Sequence, residues 1–199
     1  MSTQGATRIG VFVFDGAEEL DVVGPWEVLA YWAAHSDLHP EVVTFSADGS
    51  GVRCSKGLCL VPDTSADEVG PLHVLVYPGG RGTRVLMRDE AHLAWVRDLR
   101  GRTPLMTSVC TGALVYAAAG LLAGRPATTH WSSLDELASA DPSVLVDAEA
   151  RFVDDGDVVT SAGVSAGIDM ALHLVARLES PDAARAVRRG IQYDPEPPV

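Results

Sequence analysis

Cysteine is scarce in this chain and unpaired: Cys54, Cys59 and Cys110 are an odd number, and no C-x-x-C spacing joins them. That argues against both a disulfide framework and a thiolate zinc site, so reduced thiols are expected. Positive charge is also short, with 15 Lys plus Arg against 27 Asp plus Glu and a net charge of −12. A field of that sign repels phosphate backbones and anionic lipid surfaces, so neither nucleic acid nor membrane is expected as a partner. Long apolar runs are missing as well. The longest, around Ala113 to Ala123, is too short and too punctuated by glycine to span a bilayer, and the opening MSTQGATR has no apolar signal core. A cytoplasmic location is the resulting expectation. Neither PGGRG nor SAGVSAG has Walker spacing with Lys and Ser/Thr, and no GxGxxG follows the first strand, which leaves nucleotide binding little support. His35 and His39 have no accompanying carboxylate or second pair at ligand spacing, so no metal is expected.

What the chain does have is apolar content, 47% hydrophobic residues in 199, enough for a buried core and of a length that fits one domain over residues 1–199. RIGVFVF, EVVTFSA and HVLVYPGG read as apolar strands, the last ending in a Pro-Gly-Gly turn. After the first strand DGAEELDVVGP reads as a loop, and PWEVLAYWAAH as a helix with Pro25 in its first turn. GVRCSKGLCLVPD suits a small hairpin about Lys56-Gly57, and RFVDDGDVVTSAG another about Asp155-Gly156. DEAHLAWVRDLRG, the segment from Ser132 to Ala140, SAGIDMALHLVARLES and PDAARAVRRGIQY read as helices, with a Pro-rich tail beyond. Continuously apolar strands alternating with helices predict an α/β sandwich around a mainly parallel sheet.

The stretch PLMTSVCTGALVYAAAGLLAG places Cys110 where a β-rich run gives way to an alanine-rich helical one. Open α/β sheets bind ligands at the carboxyl ends of their strands, and the unpaired amides of a following helix favour thiolate over thiol. Cys110 at such a turn matches the logic of a nucleophile elbow. Position alone leaves equally open that it is a small buried hydrophobe. Gly79 and Gly80 in YPGG could aim amides into the same crevice, and Glu18, Glu19 and Asp21 bring carboxylates after the first strand. Asp21 could otherwise cap a helix or turn, and Glu18 and Glu19 could be a solvated face. His130 could line the pocket or act as a base, or pack structurally near Trp131. Asp169 and His173, four apart on a helix, could form a local polar pair, and Cys54 and Cys59 read as packing residues in the hairpin.

DGAEELDVVGPWEVL, VYPGG, TSVCTGALVYAAAGLLAGRPATTHW and SAGVSAGIDMAL, in this order, resemble the ThiJ/PfpI superfamily over nearly the whole chain. SVCTG, ATTHW, AGID and the ending YDPEPP are similar to its isocyanide hydratase branch. The resemblance implies a three-layer, flavodoxin-like sandwich of the class I glutamine amidotransferase type and a homodimer. It puts the nucleophile on Cys110, the acid on Asp21 and a polar partner on Thr111. Many superfamily members carry Glu at the Asp21 position, whereas Asp is the form of the hydratase branch. Protease-like and many glyoxalase-like members place His directly after the cysteine, where this chain has Thr111. The activity implied is cofactor-independent addition of water to an isocyanide, giving an N-substituted formamide through a Cys110 thioimidate. Amides near Gly79, Gly80 and Thr111 would stabilise charge. The alternatives are another thiol activity, such as glyoxalase-like hydration of dicarbonyls, or a ligand- or redox-sensing module like the N-terminal domains of AraC-type regulators. Against the latter, the sequence stops after YDPEPPV with no helix-turn-helix region.

Overall fold

The structure, a computed structural model, describes residues 7 to 195. Its strands are β1 (Arg8–Phe12), β2 (Glu41–Ser46), β3 (Val52–Arg53), β4 (Cys59–Leu60), β5 (Thr64–Ser65), β6 (Val74–Tyr77), β7 (Leu105–Val109), β8 (Pro126–Ala127), β9 (Leu145–Val146), β10 (Phe152–Asp154) and β11 (Val158–Ser161). The helices are α1 (Glu19–His35), α2 (Thr83–Leu86), α3 (Glu90–Arg102), α4 (Gly112–Ala118), α5 (Leu134–Ala140), α6 (Ala166–Leu178) and α7 (Pro181–Gly190).

Seven strands form one sheet in the order β10-β11-β7-β6-β1-β2-β5, parallel throughout except for the β10–β11 hairpin. Every residue of β6 and β7 is buried, in keeping with the apolar run of β6 and the β-rich run of β7, whose buried Thr107 hydroxyl donates to the Leu75 carbonyl. Helices flank the sheet in two groups: α1, α6 and α7 pack on one another, and α4 gathers α2, α3 and α5. Glycine permits the closest approach in the first group. A Cβ on Gly24 would stand 3.0 Å from Ile168 Cγ1, and one on Gly167 3.0 Å from Val109 Cγ1. Two helix starts carry the caps their sequences advertise. Asp89 accepts from the amides of Ala91 and His92, and Ser180 accepts from Ala183 ahead of Pro181.

One expectation about this frame needs correcting. α1 begins at Glu19, so residues 19–25 of the segment read as a loop form its first two turns and Pro25 lies inside the helix. Proline there has no amide to give the preceding turn. It is nevertheless buried, 3.1 Å from where a Cβ on Gly167 would sit, so packing against α6 holds the helix through it. Both hairpins form where expected, as antiparallel β3–β4 and β10–β11. No helix among the described residues is long and apolar enough to cross a membrane. Of the expected Pro-rich tail, residues 196–199 lie outside the described residues.

The chain leaves β1 toward β2 on one side and returns to place β6 on the other side of β1, before moving outward to β7. This reversal makes a switch point, and the carboxyl ends of β1, β6 and β7 open onto the same crevice. They lead respectively to Asp21, to Gly79-Gly80 and to Cys110.

Candidate active site

Cys110 follows β7 directly and adopts φ +54°, a left-handed conformation that costs a non-glycine residue energy unless its surroundings fix it. They do. Its amide donates to the carbonyls of Ser161 at 3.1 Å and Ala162 at 3.2 Å, while Thr129 Oγ1 donates to its carbonyl at 2.7 Å. The turn then enters α4 through Thr111. This is the sharp strand-to-helix bend of a nucleophile elbow. The Cys110 residue is 7% exposed, at the floor of a cleft of about 480 Å³.

Asp21, in the first turn of α1, is completely buried. Gly79 donates its amide to Asp21 Oδ2 at 2.9 Å, whereas Oδ1 has no hydrogen-bond partner among the described residues. Burial pushes the carboxyl up to about 7, with the Glu18 charge adding to the rise and the Gly79 amide opposing it. Asp21 and Cys110 each perturb the other's titration, so their protons belong to the pair.

The thiolate expected from the helix terminus meets a stronger opposing effect. Burial, with the Asp21 charge adding to it, raises the Cys110 thiol to about 12 against the opposing pull of the Thr111 amide and hydroxyl. A carboxylate and a thiolate side by side in a buried site are disfavoured. Near neutrality, therefore, Asp21 changes charge while Cys110 keeps its proton until something reacts with it.

Gly79 and Gly80 face inward as their position suggested, but both amides are already engaged. The first serves Asp21, and the second donates to Thr111 Oγ1 at 2.9 Å. Thr83 Oγ1 lies 3.1 Å from the same hydroxyl. Thr111 is thus tied to Gly80 and Thr83, and makes no hydrogen bond to Asp21 among the described residues. Gly79 is indispensable sterically: a Cβ there would lie 2.5 Å from Thr111 N and 2.8 Å from Cys110 Cβ.

His130 lines the cleft. Its Nδ1 lies 2.8 Å from Ser132 Oγ and accepts the Ser132 amide at 3.3 Å, an arrangement that puts the proton on Nε2. Its ring centroid is 5.5 Å from that of Trp131, which is 77% exposed. Glu18 also lines the cleft and pairs with Lys56, whose amide donates to Glu19 Oε1 at 2.6 Å. Cys54 is buried and Cys59 exposed, outside the cleft lining. Asp169 and His173 do not pair with each other. Asp169 takes Arg151 and the Tyr193 hydroxyl, and His173 takes Asp154 at 2.7 Å, because tertiary partners outcompete the helical neighbour.

Lys56, Arg81, Arg84 and Val164 line the cleft without having been singled out from the sequence. Ser55 and Lys56 arrive there on the β3–β4 hairpin, a long-range placement with no local signature. Arg81 had one, since it directly follows a glycine pair at a strand end. No group of three or more His, Cys, Asp or Glu side chains among the described residues is arranged to hold a metal ion.

A family model described as DJ-1/PfpI matches residues 7–177. The isonitrile hydratase of Pseudomonas putida is 39% identical over 97% of this chain and 81% of its own length. The HTH-type transcriptional regulator CdhR of Pseudomonas aeruginosa is 35% identical over 75% of this chain but only 44% of the regulator. A solved ThiJ/PfpI family protein from Pseudomonas syringae superposes with a TM-score of 0.87 at 34% identity, covering 98% of this chain and 78% of that one.

Proposed function

The chain belongs to the DJ-1/PfpI family, and from that premise we propose that it is a cysteine-dependent hydratase converting an isocyanide to an N-substituted formamide. The observation that carries this is the pairing of Cys110, on its strained elbow, with a buried carboxyl poised near neutrality. Similarity to an isonitrile hydratase over nearly the full chain supports the choice of substrate.

Asp21 near 7 is available as base and as acid within one cycle. Cys110 Sγ bonds to the terminal isocyanide carbon, and its proton passes by way of Asp21 to that carbon, giving R–N=CH–S–Cys110. Water then adds: its oxygen bonds the same carbon and one proton reaches nitrogen through Asp21. Cleavage of the C–S bond returns the second proton to sulfur and releases R–NH–CHO. Gly79 holds the carboxyl in place, and Thr111 supports the developing sulfur charge through its amide and hydroxyl. No cofactor enters the scheme.

The test is incubation of purified protein with cyclohexyl isocyanide while N-cyclohexylformamide is followed by mass spectrometry. Enzyme-dependent formamide is expected; none at any pH from 6 to 9 refutes the proposal. The second candidate is a sensing module, favoured by the partial match to CdhR. It predicts no turnover, with oxidation of Cys110 or ligand binding altering a partner interaction instead. A glyoxalase-like activity is separable by assaying methylglyoxal with the same preparation.

We also propose a homodimer acting on small molecules in the cytoplasm, as one domain. Val23 and Trp26 on α1, with Val61, which is 85% exposed, line an apolar groove of about 300 Å³, and Leu20 on the same helix is exposed as well. A second copy covering this face accounts for it. Light scattering should give a dimer, and Trp26→Glu a monomer.

A further inference from the structure

The chain's net charge of −12 does not extend to the wall of the cleft above Cys110. Three cations, Lys56, Arg81 and Arg84, line it against one carboxylate, Glu18. Two of them are neutralised on the spot. Lys56 pairs with Glu18 and Glu19, and Arg84 pairs with Glu136 at 2.6 Å while reaching Ser133 Oγ at 3.1 Å. Arg81 differs: its guanidinium donates to the Ser55 carbonyl, and no carboxylate among the described residues lies within ion-pair distance of it. Arginine presents five donors in a rigid fork and stays charged at any working pH, so most of this group's hydrogen-bonding capacity is uncommitted. Asp21, the carboxyl of the mechanism, is fully buried and is not part of the cleft lining.

We propose that the cleft receives an anionic substrate, an isocyanide whose R group carries a carboxylate bound by Arg81. This rests on the hydratase function proposed above for Cys110. Arg81 follows Gly80, whose amide is bonded to the residue after Cys110, so the guanidinium and the sulfur border one small volume. A short bifunctional molecule spans the two: carboxylate on the fork, reactive carbon on the thiol. Planar, two-pronged recognition suits a carboxylate in particular. The remaining wall, with His130, Ser132 and Ser133, supplies hydrogen-bonding groups to whatever links the two ends.

The test compares two alkylating agents that differ mainly in charge, iodoacetate and iodoacetamide, with peptide mass spectrometry reading each cysteine. Cys59, exposed on the same molecule, is the internal reference. The iodoacetate-to-iodoacetamide rate ratio should be about fivefold or more higher at Cys110 than at Cys59, and the difference should shrink as salt screens it. Arg81→Gln should bring the Cys110 ratio down to that of Cys59, Arg81→Lys should retain much of it, and Arg185→Gln on α7 should leave it alone. A Cys110 ratio equal to that of Cys59, or one indifferent to Arg81→Gln, overturns the proposal. A second arm measures kcat/KM for isocyanoacetate against its methyl ester. Preference for the acid that falls about fivefold in Arg81→Gln supports the inference. Turnover of both with an Arg81-independent ratio sinks it while leaving the hydratase function standing. Turnover of neither, with the alkylation preference intact, removes the hydratase function and keeps the anion site.

Discussion

Asp21→Asn should make the protein more stable at alkaline pH while disabling it. The ordinary aspartate value of 3.8 rises to about 7 in the fold, chiefly because the carboxyl is buried. A raised value means that the folded state holds the proton more tightly than the unfolded chain. The associated stability is therefore fully present below pH 3.8 and is lost as pH rises through 7. A shift of this size amounts to about 4 kcal/mol in total, of which about 2 to 3 kcal/mol develops between pH 5 and pH 8. Asparagine keeps the shape and can still accept the Gly79 amide, but it has no charge to desolvate. The assay is urea unfolding followed by tryptophan fluorescence at pH 5, 6, 7 and 8, for Cys110→Ala and for Asp21→Asn/Cys110→Ala. The shared Cys110→Ala background takes thiol titration out of the comparison, and it removes a contact that favours the charged carboxylate, so the effect is not eroded. All other titrating groups cancel in the difference as long as they do not touch the site. The stability advantage of the asparagine variant should widen steadily with pH. Parallel curves from pH 5 to pH 8 would refute the claim that a buried carboxyl is being ionised against its surroundings.

Cys110→Ala and Cys110→Ser should both lose essentially all formamide production, the serine because its hydroxyl is far harder to ionise beside Asp21; near-normal rates in either would remove the thioimidate from the scheme. The kcat/KM of the wild type should rise as pH passes about 7, where Asp21 becomes able to take the thiol proton. Asp21→Asn should lower kcat by about 10²-fold or more and abolish that inflection, while Asp21→Glu keeps an acid in a displaced position and should retain partial activity. A persisting inflection in Asp21→Asn would assign the proton to another group. Gly79→Ala forces a methyl toward Thr111 N and the Cys110 Cβ, so it should cost about 1 to 3 kcal/mol of stability together with most of the activity; thermal unfolding and turnover measured on one preparation check both.

The parallel core was legible because β6 is an unbroken apolar run and β7 a β-rich one, a pattern that permits burial on both faces. Cys110 was legible from its junction, and Asp21 became so only through the resemblance, since one carboxylate among Glu18, Glu19 and Asp21 carries no local mark of burial. The ionisation of the pair was not legible. A helix terminus is visible in sequence, whereas the desolvation that overrides it depends on what α1 and the turns after β6 and β11 bring around Cys110. Pro25 misled for a related reason. Its local preference is for a first turn, and the fold sets it within α1 because packing against α6 compensates for the missing amide. The partners of Asp169 and His173 were out of reach altogether, since Arg151, Asp154 and Tyr193 come from other elements.

The β3–β4 hairpin pairs only with itself and adds no strand to the seven-stranded sheet, yet it delivers Ser55 and Lys56 to the mouth of the cleft. It is moored instead to the segment after β1, through Gly16 to the Arg53 carbonyl, Asp15 to the Arg53 amide, Ser55 to Gly16 and Ala17 and Lys56 to Glu19, and through Arg81 to the Ser55 carbonyl. A hairpin outside the main sheet can change composition without altering the register of β1, β6 and β7, whose ends lead to Asp21 and Cys110. Diversification of what enters is thereby uncoupled from the chemistry performed. Grafting the corresponding segment of a relative onto this frame is then a direct route to exchanging the molecules it admits while the acid and the thiol stay where they are.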